Sequence, residues 1–211
     1  MKKTLHLFIL IIIYLLCGAR NCSEGDLKDG NEKNLITASK DSLKKVIEID
    51  IPDTELLKTH EQMAKQKLLD FADYMKIVSD TTLDTRFRQQ AADMARKLFI
   101  SGKIAFRKWD TFNKSSKNCT LNQLLAKNLK EGSSHYIQFE GIDIVKPLSQ
   151  TNDSAYIGRL SVYRIILSFD KQLDRRNSSE KIFVDFHLQK KAKSFGKDRV
   201  KVWEVYLGEI N

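Results

Sequence analysis

Between Thr54 and Val78 the apolar residues Leu57, Ala64, Leu68, Phe71, Met75 and Val78 recur at intervals of three, four or seven. That is the spacing of one helix face, with Lys58, Lys65, Lys67 and Asp70 largely off it. "SDTTLD" interrupts the period, and Thr81-x-x-Asp84 has the form of a capping box. A second helix is predicted with Phe87, Ala91, Met94 and Leu98 on its apolar face, ending near Gly102. After a stretch from Lys103 to Cys119 that suits a short strand and the polar loop "NKSSKN", "TLNQLLAKNLKEG" predicts a third helix. Thr120 caps it, Leu121, Leu124, Leu125 and Leu129 form its stripe, and Gly132 stops it.

Past Ser134 the pattern becomes one of strands. "HYIQFEGIDIVKP", "SAYIGRLSVYRIILSF", "EKIFVDFHLQKKA" and "RVKVWEVYLGEI" are long runs rich in β-branched and aromatic residues. Gly141 breaks the alternation of the first and predicts a bulge that bends it. "KKAKSFGKD" between the last two reads as a hairpin tip. Helices first and consecutive strands second predict an α+β domain: N-terminal helices packed on a bent antiparallel sheet of about four strands.

The N-terminal quarter follows neither period. Lys2 and Lys3 precede an apolar run from Leu7 to Leu16, then Cys17, Gly18 and Ala19. This is the order of a secretory signal, with a candidate cleavage site after Ala19; the run is too short for a stable membrane-spanning helix. Residues 20–52 are polar and mixed in charge up to Pro52, so they predict a flexible tether. The expected organisation is therefore signal peptide 1–19, tether 20–52 and a single domain 53–211, exported to the periplasm or cell surface.

Composition narrows the partners. The formal charge of +9 falls to +7 once Lys2 and Lys3 leave with the signal. Such an excess favours anionic partners, and in an exported chain that means an envelope surface rather than nucleic acid. Only Cys22 and Cys119 would remain after cleavage, too few for a disulfide framework. N-x-S/T matches at Asn113, Asn118, Asn152 and Asn177 matter only in a eukaryotic source.

Candidate chemistry is sparse. There is no Gly-rich phosphate loop, Cys/His metal cluster or G-x-S-x-G elbow, so no metal and no cofactor is expected. In "KIFVDFHLQK", Asp185 and His187 share one side of a strand and could form an acid–base pair. The opposite side carries Ile182, Val184, Phe186 and Leu188, and burying it costs no desolvation of a carboxylate or imidazole. The pair is thus expected to face away from the core. His60 is a lone helical histidine, and His135 begins a strand where it could border a pocket mouth. Glu204 in the last strand is expected to pair with Arg159 or Arg164. The strongest signal outside the core is the basic hairpin, where Lys190, Lys191, Lys193, Lys197, Arg199 and Lys201 surround Phe195, with Lys171, Arg175 and Arg176 in the preceding loop. These residues form a candidate contact patch for acidic lipid or another envelope polyanion, with Phe195 as a shallow apolar anchor.

The start "NCSEGD" resembles that of exported lipoproteins of the Bacteroidetes type, in which a lipidated cysteine, here Cys22, precedes an acidic stretch. Arg20 and Asn21 stand where a lipobox has small uncharged residues, so simple secretion and lipid anchoring both stay open. The helical stripe through Phe71 and Met75, the bulge-forming Gly141 and the ending "FGKDRVKVWEVYLGEI" resemble the nuclear-transport-factor-2-like (cystatin-like) superfamily. The ending also resembles those of uncharacterised exported Bacteroidetes proteins. The superfamily resemblance implies a bent sheet wrapped round helices to form a cone with a pocket. Its members include isomerases, dehydratases and hydrolases as well as non-catalytic modules. The expected function is a non-catalytic binding or interaction module for an envelope protein or small ligand; the alternative is a small-molecule enzyme using the cone pocket.

Overall fold

The computed structural model describes residues 51–107, 109, 118–170, 179–195 and 198–211, all within one compact unit, Ile47–Asn211. The expected signal peptide, Cys22 and nearly all of the expected tether lie outside the described residues. Helix α1 (Thr54–Ser79) starts where the Asp53 carboxylate accepts the Leu56 N–H at 2.7 Å, and it buries Ala64, Leu68, Phe71, Met75 and Val78. Helix α2 (Thr85–Lys97) is capped by Asp84, which accepts from the Arg86 N–H. The capping box predicted from Thr81 is therefore displaced: Asp84 is the cap itself, and the helix ends at Lys97 rather than near Gly102. Helix α3 (Leu121–Glu131) has the predicted Thr120 cap, reciprocated by Gln123, and stops at Gly132 with φ of 69°.

The inward face of α2 agrees with the predicted one at Ala91 and departs from it at Phe87 and Met94. Phe87 is 50 % exposed and Met94 38 %, whereas Arg88, Ala91, Ala92 and Ala95 point inward. Three alanines let α2 lie close against α1, and Arg88 satisfies a need that hydrophobic periodicity cannot express. Its guanidinium donates to Val78 O (3.0 and 2.8 Å) and to Asn128 O (2.7 Å). These are backbone carbonyls near the C-terminal ends of α1 and α3, groups that need partners when buried.

The sheet has six strands and mixed direction, where about four antiparallel strands were expected. Strands β3 (His135–Asn152), β4 (Ala155–Ser168), β5 (Ser179–Phe195) and β6 (Asp198–Ile210) form an antiparallel meander. Two short strands, β1 (Ala105–Phe106) and β2 (Cys119–Thr120), extend it beyond β6, giving the order β2-β1-β6-β5-β4-β3. β1 runs parallel to β6. β1 is the short strand expected between Lys103 and Cys119, whereas β2 was not expected, because a two-residue strand carries too little pattern for periodicity to reveal. Gly141, with φ of 60°, sits at a register shift between Glu140 and Asp143, the bulge predicted there.

The core lies between the helices and one face of the meander. Ile182, Val184, Phe186 and Leu188 of β5 are buried there, with Leu160 and Val162 of β4 and Val205 and Leu207 of β6. Each such side chain contributes about 1.5–3 kcal/mol on leaving water. Phe71 of α1 meets Phe99 edge-on at 4.9 Å and packs with Phe106 and Trp109, so the aromatic cluster joins α1 to the added sheet edge.

Candidate functional site

Where α1 and α3 end and β3 begins, the helices leave a cavity of about 660 Å³. Arg164 and Ile166 of β4 form its sheet wall, Trp109 and Cys119 one flank, and Lys127 and Asn128 the helical flank. Arg164 belongs to the inward row of β4 and is only 2 % exposed. Its Nη2 donates to Glu180 at 2.6 Å, and its guanidinium lies 4.9 Å from the centre of the Trp109 ring. Burial depresses the basicity of Arg164, and the Glu180 charge and hydrogen bond oppose that effect. His135 also borders the cavity, with its Nδ1 2.8 Å from Ser134 Oγ. No carboxylate lines the cavity among the described residues.

The Asp185–His187 pair sits on the face away from the buried row, as the pattern predicted, but it is half-buried rather than fully solvated. Asp185 is held by Arg159 across the strands through contacts of 2.6 and 3.3 Å. His187 lies over Gly208, where an added Cβ would come within 2.6 Å of Nε2. Burial pushes the His187 pKa below its ordinary value, against the charges of Asp185 and Glu209. The expected partners of Glu204 prove different: Arg159 takes Asp185, Arg164 takes Glu180, and Glu204 takes Tyr206 and Lys193.

Register splits the predicted basic patch. Lys191 and Lys193 project on the His187 side of the hairpin, while Lys190 and Arg199 alternate to the other, where Lys190 lies 5.7 Å from the Trp203 ring centre. Phe195 pairs with Asp198 through the backbone, and its side chain, like Lys197 and the loop residues Lys171, Arg175 and Arg176, lies outside the described residues. The face with Lys191 and Lys193 gains a member from α1. Lys67 Nζ comes 5.5 Å from the centre of the Tyr206 ring, and Lys191 Nζ 3.9 Å from it. The Tyr206 hydroxyl donates to Glu204 Oε2 at 2.5 Å, and Lys193 reaches Glu204 Oε1 at 3.2 Å. Burial and the Glu204 contact push the Tyr206 hydroxyl far above its ordinary pKa. Burial also raises the Glu204 pKa, but its bonds to Tyr206 and Lys193 and the nearby ammonium charges bring it below the ordinary value overall.

The sequence reading gave no site role to Arg164, named only as a partner for Glu204, or to Trp109, Lys67 and Tyr206. Arg164 was findable, because it is the lone charge in the inward row Tyr156, Gly158, Leu160, Val162, Arg164, Ile166. Lys67 was not, since only the packing of α1 brings it to the hairpin. Among the described residues no group of acidic, His and Cys side chains could hold a metal ion. No helix among them is long and apolar enough to cross a membrane.

Comparison with protein-family models gives no match, and comparison with curated protein sequences gives none either. Among solved structures, the chain is similar to a crystal structure named "Putative Scytalone Dehydratase" from Novosphingobium aromaticivorans. The TM-score is 0.31 and the identity 8 %, over 74 % of this chain and 89 % of that one, an overlap too loose to assign residue roles.

Proposed function

We propose that the chain is an exported binding module of nuclear-transport-factor-2-like shape that takes a small molecule in the cavity between α1, α3 and the β3–β4 end of the sheet. The observation that carries this reading is the lining. A cavity of about 660 Å³ is within the range of small-molecule sites. Its described walls combine aromatic and aliphatic surface with amide, hydroxyl and cationic groups. The described lining presents hydrogen-bond donors and stacking surface, which suits a bound small molecule. The tether of residues 20–52 holds the module at the envelope.

Trp109 and Trp203 are the two tryptophans of the chain, so Trp203→Phe leaves one fluorescent reporter, in the cavity wall. Titration with the neutral probe N-phenyl-1-naphthylamine is expected to change Trp109 emission saturably at one probe per chain. Ile137→Phe, which narrows the cavity from its sheet wall, is expected to abolish the effect. Absence of saturable binding, or binding indifferent to Ile137→Phe, would sink the proposal.

A further inference from the structure

The ammonium groups beside Tyr206 form a second place of interest, apart from the cavity. Lys67, Lys191 and Lys193 converge there from α1 and β5 upon one aromatic ring and one carboxylate. Glu204 has both oxygens engaged, one by the Tyr206 hydroxyl and one by Lys193. Lys67 and Lys191 therefore meet the ring face, which attracts a cation far more weakly than a carboxylate in the same place would. Asp70 also acts on Lys67, but its carboxylate already accepts from Gln66 at 2.9 Å. Lys67 is half-buried, and burial and the charge of Lys193 both work against its protonated form, with Glu204 and Asp70 opposing them. The folded chain thus holds positive charges close together with incomplete compensation. An anion seated among them would offset that repulsion.

We propose that Lys67, Lys191 and Lys193 form a binding site for a phosphate group over the Tyr206 ring. The donor set selects this chemistry. Each ammonium carries three rotatable N–H donors and acts as a compact point charge, with no guanidinium fork in the cluster to favour a planar carboxylate. A tetrahedral, multiply charged oxyanion makes the best use of three such groups. Lys191 and Lys193 are exposed, so the phosphate can belong to a soluble ester or to a lipid headgroup. Lys67 is what makes this more than a charged hairpin, because a helix residue fixes one corner of the site.

The test uses inorganic phosphate, titrated at constant ionic strength and followed by amide NMR shifts. It also uses co-sedimentation with phosphatidylcholine vesicles with and without phosphatidic acid. Each of Lys67→Gln, Lys191→Gln and Lys193→Gln is expected to weaken binding about fivefold, the upper range for one exposed ion pair. A control removes equal or greater charge from the opposite face of the same hairpin: Arg199→Gln with Lys201→Gln should change binding less than about twofold. Urea denaturation of each variant separates lost binding from lost folding. Binding to phosphatidic acid vesicles that depends on the three lysines assigns the headgroup source; lysine-dependent binding of inorganic phosphate alone assigns a soluble ester. No binding to either, or equal losses in the control and the site variants, overturns the proposal.

Discussion

His60 and Glu61, adjacent on α1, are both buried. Glu61 Oε1 accepts the Leu148 N–H at 2.8 Å, satisfying a donor of β3, the strand at the free edge of the sheet. Covering such a donor also blunts an edge that would otherwise invite pairing with another chain. His60 Nδ1 is buried without a hydrogen-bond partner, and burial holds its pKa below the ordinary value of 6.5; His187 is depressed in the same direction. The unfolded chain therefore binds more protons than the folded one as pH falls from about 6.5 through the folded values. Stability is highest above that window, declines through it, and stays reduced below it. Urea midpoints should be lower at pH 5 than at pH 7.5, and His60→Leu should flatten the difference; an unchanged slope would contradict this account. At this scale sequence reading was only partly informative. Alternation assigned Asp185 and His187 to the correct face but could not show Gly208 beneath the imidazole or Arg159 across from the carboxylate.

Arg88 acts between elements. With one side chain it bonds carbonyls near the ends of two helices, so α1, α2 and α3 are joined at a single buried cation. Arg88→Leu keeps the apolar stem but removes both guanidinium bonds to Val78 O and the one to Asn128 O, which keeps the Gly132 N–H. A loss of about 3 kcal/mol is expected in chemical denaturation, as for other broken buried charged networks. Arg88→Lys should recover less than half of it, because an ammonium cannot reproduce the two-pronged contact to Val78 O. Full recovery by Lys would mean that charge, not geometry, matters here. A second element-scale constraint is Gly158 on β4, where an added Cβ would come 2.3 Å from Phe186 Cζ and 3.0 Å from Lys146 O. Gly158→Ala should cost about 1–3 kcal/mol by overpacking, and Phe186→Leu in the same chain should cost less than it does alone; simple additivity would refute the steric coupling. The long elements were legible because α1 and the four long strands keep one period over many residues. The α2 face was legible only at Ala91, because a buried arginine and three alanines leave almost no hydrophobic signature.

At the scale of the whole molecule, the position of the phosphate site matters only once the placing of the domain is known, and that rests on the N-terminal residues. About thirty polar residues separate the proposed cleavage point after Ala19 from Pro52. As the proposed tether, a flexible chain of that length would have an r.m.s. span of roughly 30 Å, enough for the lysine-bearing face to reach a bilayer or to stand clear of it. The proposed anchor is Cys22. One acyl chain gives only marginal attachment, so stable anchoring needs further chains or a basic surface as a second contact. Lys67, Lys191 and Lys193 would supply that second contact if their phosphate belongs to lipid. Two expected outcomes follow from the same geometry. The wild-type chain should fractionate with membranes, and Cys22→Ser should release most of it. Replacing the three lysines by Gln in an otherwise unaltered chain should raise the released share without altering N-terminal processing. Mass spectrometry of the mature N-terminus supplies the decisive observation: a lipid-modified chain beginning at Cys22 supports anchoring, and an unmodified chain beginning at Arg20 means simple secretion and ends it.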